Sequence, residues 1–241
     1  MAVVENQEED VVLDAQTMSG FLGVILCVSG AMGAGKSTLV RILTGNVQGL
    51  TNQDLIRFIV HHHRLLKDCL RSQFHLDLSD RVGVVPSYTT RAKRGDEMDG
   101  EYIFVNRDDF QEMIEGHRFA WWVKVNHRFY GTLWTDLSEQ LVKPGFGVVN
   151  VTPETVVYHI YPKLFKTGRF KAVYVDSPHR QEWMRNRGGL SPDVVHSREE
   201  INQNWDRLVT GAGDMFVRLE NDEAGNLDNL IHDLSGLLGR T

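Results

Sequence analysis

Eight residues, GAMGAGKS at positions 30–37, restrict the fold of this chain more than any other stretch. They satisfy G-x-x-x-x-G-K-[ST] without departure. They follow a continuous apolar run, LGVILCVS at 22–29, and lead into STLVRILTG, which has helical spacing and stops at Gly45. An unbroken apolar run of that length predicts a strand buried on both faces, as in a parallel sheet. Between such a strand and a helix, glycines let successive N–H groups curl inward around phosphate oxygens, and the helix adds the positive end of its dipole. Gly30, Ala31, Met32, Gly33, Ala34, Gly35, Lys36, Ser37 and Thr38 are therefore the expected cradle for a nucleoside triphosphate. Lys36 supplies a point charge to the outer phosphates, and the Ser37 hydroxyl is the expected Mg²⁺ ligand.

The remainder of the chain alternates strand and helix signals. TNQDLIRFIVHHHRLLKDCLRSQF at 51–74 predicts a long amphipathic helix, with Thr51 and Asp54 as a capping pair. Leu55, Ile59, Leu66 and Leu70 share its apolar face. Short strands are expected at 82–85 and in YIFV, with an acidic helix in DDFQEMIEG. GVVNV and KAVYVDS read as core strands, and helices are expected at 178–187, 197–209 and 226–238. This pattern predicts an α/β sandwich around a mostly parallel central sheet.

Composition narrows the setting. The formal net charge of −6 gives no reason to expect broad attraction to nucleic acid or membranes. Cys27 and Cys69 are far apart and outside any CxxC, which fits a reducing compartment. The opening MAVVENQEEDVVLDAQ lacks the basic and apolar regions of a signal peptide, and no apolar run approaches the ~20 residues of a membrane helix. The expectation is a cytoplasmic protein with a mobile acidic tail over 1–20. The sequence sets no oligomeric state. His61, His62 and His63 do not make a metal site, because consecutive helical side chains point ~100° apart.

SYTTRAKRGDEMDGEYIF at 87–104 carries Arg91, Lys93 and Arg94 with Tyr88 and Tyr102, and almost nothing that builds a core. Guanidinium forks bind phosphate bidentately, and phenol hydroxyls add donors without charge. Taken alone, the run is a solvated loop of self-pairing ions. Behind a phosphate-binding loop, it reads as the grip on a second, acceptor phosphate.

At this point the sequence resembles the guanylate kinase family. The likeness is carried by SYTTRAKRGDEMDGEYIFV, FAWWVKVNHRFYGT, RNRGGLSPDVVHSREEINQNW and LENDE, together with the glycine loop. It covers most of 24–240 apart from roughly 46–80, which reads as a helical insertion. The resemblance implies a three-layer P-loop fold with a core (21–50, 140–185, 199–241), a nucleoside-monophosphate-binding region (81–135) and a lid (186–198). It implies ATP and Mg²⁺ as donor and cofactor, and small nucleotides as the only partners. By the family pattern, Arg91, Arg94, Tyr102 and Tyr130 would hold the acceptor phosphate, with Ser87 and Thr132 beside them. Arg187 and Arg198 would be catalytic lid arginines alongside Lys36, with Arg185 a further candidate, and Asn221 and Asp222 would lie near the donor adenine. One departure is a spacer between Gly100 and Tyr102 that is a residue short.

The larger departure is at the base. Guanine presents two donors on one edge, which the family meets with acids. Here those positions read Trp121, Asn150 and Thr152. Losing a charged partner costs ~1.5–3 kcal/mol, so two losses weaken guanine selectivity severely. Three accounts stay open: another carboxylate such as Glu154 substitutes; the acceptor is a different phosphorylated compound, such as a ribose phosphate, with Trp121 stacking on it; or the domain is a non-catalytic binding module. The intact Lys36 and Ser37 argue against the last.

Overall fold

The computed structural model describes residues 22–78, 81–94, 97–125, 127–164, 168–186 and 190–221, with His232, Ser235, Gly236 and Leu238. The expected acidic tail lies outside the described residues, as does most of the 226–238 helix.

The apolar run forms β1 (Gly23–Gly30), buried at every position. It is the middle strand of a five-stranded sheet ordered β2-β7-β1-β8-β9, made of Val82–Val84, Gly145–Asn150, β1, Phe170–Asp176 and Val217–Glu220. All four pairings are parallel. Because side chains alternate along a strand, β1 feeds two cores. Val24, Leu26 and Val28 pack against Leu39, Ile42 and Leu43 of α1 (Lys36–Thr44) and Ile59, Leu66 and Leu70 of α2 (Gln53–Phe74). Ile25 and Cys27 face Leu137 and Leu141 of α4 (Trp134–Leu141), with Val156, Ile160 and Trp205. This is the three-layer α/β arrangement, and burial pushes the Cys27 thiol pKa up, so that thiol is an inert core group.

The helix expected at 51–74 is α2, Gln53–Phe74, but its cap differs. Asn52, not Thr51, accepts from the Asp54 and Leu55 amides at 2.9 and 3.1 Å, because only Asn52 has its side chain one step before the first helical turn. Ile59, Leu66 and Leu70 are fully buried, and Leu55 packs at the edge of their cluster. In the histidine run, His61 is exposed with its ring centre 5.0 Å from that of His62, while His63 Nδ1 bonds the Ile42 carbonyl at 2.8 Å and ties α2 to the C-terminal turn of α1.

A second sheet, β4-β3-β6-β5, was not legible as such in the sequence. It joins Tyr102–Phe104, Ser87–Thr89, Arg128–Leu133 and Phe119–Val125. Its back is covered by α3 (Arg107–Glu115), where Phe110 stacks on Phe119 and Phe129 at 4.5 and 5.3 Å. Val82–Val84, grouped above with the acceptor region, is instead the edge of the central sheet, in register with Phe146–Val148.

A short helix α5 (Pro153–Thr155), a π-helical turn (Val156–Ile160) and α6 (Tyr161–Leu164) follow β7. His159 in that turn is buried, and burial, helped by the Lys163 cation, lowers its pKa. A histidine harder to protonate folded than unfolded stabilises the fold above its ordinary value of 6.5, and that stability is lost as pH falls through the lower folded value. His159→Leu is therefore expected to show a smaller drop in Tm than the unaltered protein between pH 7.5 and 5.5. Equal drops would mean that His159 does not titrate on unfolding.

The helix expected at 178–187 is α7 (Arg180–Asn186). The one expected at 197–209 is longer, α8 (Pro192–Gly211), because Ser191 at the N-cap position and proline in the first turn start it earlier. Residues 192–198 of the expected lid are thus the first turns of a helix.

Candidate active site

Gly30–Lys36 forms a tight turn at the carboxyl end of β1. Gly30 takes φ 147°, and a Cβ there would lie 2.1 Å from the Val175 carbonyl oxygen. Gly33 takes φ 85°, and a Cβ would lie 2.5 Å from the Arg180 carbonyl oxygen. Only glycine lets β8 and α7 approach the loop this closely. Lys36 Nζ donates to the Gly30 and Ala31 carbonyls, each at 2.8 Å, so the loop is curled around its lysine. Asn221 is brought to the same place: its amide donates to the Ala34 carbonyl at 3.0 Å, and its backbone N–H to Asp176 O at 2.8 Å. Asp222 lies outside the described residues. Ser37 is partly exposed at the start of α1.

The second cluster stands on the face of the small sheet opposite α3, where Ser87, Thr89 and Thr132 are buried. Thr89 pairs with Tyr130 across β3 and β6, and Ser87 and Thr132 flank the next pair, Tyr88–Gly131. Alternation puts Ser87, Thr89, Tyr130 and Thr132 on one face. Tyr102 lies beside Ser87 in the parallel pairing of β3 with β4. Arg91 follows β3, and its guanidinium lies 4.5 Å from the Tyr102 ring centre and 5.3 Å from that of Phe104. Burial pushes the Tyr102 hydroxyl pKa upward, with Glu101 adding to the shift and Arg91 opposing it. The structure therefore unites Ser87, Arg91, Tyr102, Tyr130 and Thr132. Arg94 stays outside the group: its side chain is exposed, and its backbone N–H bonds Glu97 at 2.8 Å.

Two carboxylates, which the sequence reading left unassigned, complete the cluster. Glu97 forms a buried ion pair with Arg91, the two side chains being 9% and 4% exposed. Glu101 is buried and accepts from Asn150 Nδ2 at 2.6 Å. Burial raises the Glu101 pKa, Asn150 opposes the shift, and Glu97 reinforces it. Since Asn150 ends β7, the strand beside β1, this bond docks the arginine–tyrosine face against the carboxyl edge of the central sheet. The signal for both acids was present in RGDEMDGEY, but charge spacing alone does not tell a paired buried acid from a solvated one.

The base positions resolve differently from expectation. Trp121 is 5% exposed and packs in the central core with Ala120, Leu137 and Val156, so it is not a stacking platform. Thr152 is the N-cap of α5, accepting from Thr155 N at 3.3 Å. Glu154, offered above as a substitute acid, is in the first turn of that helix and partly exposed.

Of the expected lid residues, Arg187 lies outside the described residues. Arg198 is partly buried on α8, and Arg185 is exposed with its guanidinium 3.5 Å from Gln181. Among the described residues, no three His, Cys, Asp or Glu side chains gather to hold a metal ion, and no helix is long and apolar enough to cross a membrane.

A parallel sheet with a glycine loop after its central strand, plus a docked second sheet bearing an arginine–tyrosine cluster, defines a P-loop phosphotransferase of the nucleoside monophosphate kinase class. Within that class the chain belongs to the guanylate kinase family, whose model matches residues 62–191. Guanylate kinase of Dechloromonas aromatica is 28% identical over 215 residues, covering 86% of each chain. Guanylate kinase of Mycoplasma genitalium is 29% identical over 128 residues, 53% of this chain and 40% of that one. The crystal structure of guanylate kinase from Anaplasma phagocytophilum shares the fold, with a TM-score of 0.50 over 90% of this chain and 85% of that one, at 16% identity.

Proposed function

We propose that the protein transfers the terminal phosphoryl group of ATP to a nucleoside monophosphate, GMP or dGMP, giving the diphosphate. The observation that carries this reading is the Arg91 guanidinium, braced on Tyr102 and holding the Glu97 carboxylate on the face docked to the glycine-loop side of the sheet. A guanidinium fork satisfied by a carboxylate is shaped for a phosphate. In this reading the acceptor phosphate displaces Glu97 from Arg91 and takes the hydroxyl donors of Tyr102 and Tyr130. Ser87 and Thr132 line the way to the base, and the exposed Arg94 swings in from outside.

Lys36 leaves the Gly30 and Ala31 carbonyls for the donor's outer phosphates, and Arg187 and Arg198 neutralise charge on the transferring group. No protein base is needed, since the attacking oxygen already belongs to an anionic phosphate. Mg²⁺ suits the donors available: the Ser37 hydroxyl and the Asn150 amide oxygen are hard neutral ligands of the kind Mg²⁺ takes beside phosphates and water. When bound, the ion would offset the negative charge of the donor phosphates.

A second acceptor class is favoured by a specific observation: Trp121 is core and Thr152 is a helix cap, so neither meets a guanine edge. A phosphorylated sugar such as a ribose phosphate needs no such contact. ADP release is measured with MgATP and, separately, GMP, dGMP, AMP, CMP, UMP and ribose phosphates. The expected result is acceptor-dependent turnover, highest with GMP or dGMP. Turnover only with a sugar phosphate would move the assignment to the second class. Nucleotide binding with no acceptor-stimulated turnover would make the protein a binding module.

A further inference from the structure

We propose that Asn202 is a positioning residue for the phosphate-binding loop, holding Met32 from the lid-bearing helix α8. The reading rests on the donor site proposed above and goes beyond it. Asn202 is fully buried. Its Oδ1 accepts from the Met32 N–H at 2.7 Å, and its Nδ2 donates to the Met32 carbonyl at 3.2 Å. Donating and accepting to one residue fixes which end of the amide is oxygen. The side chain thus acts as a strand neighbour would, satisfying both backbone groups of a loop residue that has no ladder partner.

Asn202 is itself held. Its Nδ2 also donates to Glu199 Oε2 at 3.2 Å, and Glu199 is clasped by Arg180, at 2.6 Å from Nη2 and at 3.1 and 3.2 Å from Nε. Arg180 also binds Asp176 at 2.7 Å and Asp206 at 3.0 Å, and Asp206 accepts from the Tyr174 hydroxyl at 2.5 Å. Three carboxylates around one guanidinium leave Arg180 a single orientation. The chain of contacts therefore runs from the end of β8 through α7 and α8 into the loop. The Arg180 carbonyl oxygen also lies 2.5 Å from where a Cβ on Gly33 would be. Arg198 lies one helical turn before Asn202, on the same face of α8. The helix that carries a lid arginine is thereby pinned to the loop that holds the donor.

The test uses the full chain with Asn202→Leu, which removes both bonds, and Asn202→Asp, which keeps the acceptor for the Met32 N–H. Two readouts are taken. Hydrogen exchange at the Met32 amide reports the clamp without nucleotide. Titration of MgATP and the KM values for both substrates report its consequence. The expected result is faster exchange at Met32 in Asn202→Leu, MgATP affinity weaker by about tenfold or more, and an unchanged acceptor KM; Asn202→Asp shifts both readouts in the same direction, because its second oxygen faces the Met32 carbonyl and Glu199 where a donor stood. Loss of folded protein alone lowers kcat and leaves KM for ATP where it was, so the split separates positioning from stability. If Asn202→Leu does not fold, Asn202→Asp alone decides: unchanged Met32 exchange and MgATP affinity overturn the proposal. Changed exchange with unchanged affinity overturns the link to the donor. Failure of the unaltered protein to bind MgATP overturns the donor-site reading instead, and the exchange measurement still judges the clamp.

Discussion

Arg91→Met is expected to lower kcat/KM for the acceptor by about 10²–10⁴-fold while leaving MgATP affinity within about twofold. The magnitude follows from two charge-assisted hydrogen bonds at ~1.5–3 kcal/mol each. The variant also strands Glu97, buried beside Glu101, and removing one partner of a buried pair costs about 3–5 kcal/mol of stability. The double variant Arg91→Met/Glu97→Gln takes away that charge, so it recovers stability but not turnover. Steady-state kinetics with a thermal melt on both variants gives the answer. If the double variant regains activity along with its Tm, Arg91 is a structural residue and the phosphate grip lies elsewhere.

The second large effect is at the donor. Lys36→Met is expected to reduce kcat by about 10²–10³-fold, the usual loss when one preorganised donor to developing charge is removed. MgATP still binds, more weakly, because the loop amides remain. In the unliganded protein Lys36 donates to the Gly30 and Ala31 carbonyls, so the substitution also loosens the curl of the loop. Lys36→Arg tests shape against charge: a planar fork in place of a compact ammonium cannot reproduce both carbonyl bonds and the phosphate contact. Turnover by Lys36→Arg near the unaltered rate would show that charge alone suffices. Turnover by Lys36→Met near that rate would remove Lys36 from the mechanism.

These two expectations differ in how they became visible. The glycine loop could be read directly because its chemistry is local: the strand, the turn and the helix start are consecutive, and spacing is enough to specify them. The acceptor cluster was readable in its residue types. Its assembly was not, because Arg91, Tyr102 and Tyr130 meet only through pairing of β3 with β4 and β6. Strand alternation in FAWWVKV and RFYGTL is blurred by two adjacent tryptophans that pack into different clusters. Trp121 illustrates the converse: its type allowed stacking on a ligand, and packing against the central core settled it as structure.

By itself, the sequence determined the parallel central strands, the glycine loop between β1 and α1, and the amphipathic helix α2, since each depends on neighbours along the chain. Only the tertiary structure decided which charges are paired and which are exposed. Glu97 lies on Arg91, Glu101 meets Asn150, and Asn202 reaches Met32 across 170 residues. Such contacts are chosen by burial, where an unpaired polar group costs far more than it does in water, and burial is a property of the packed layers.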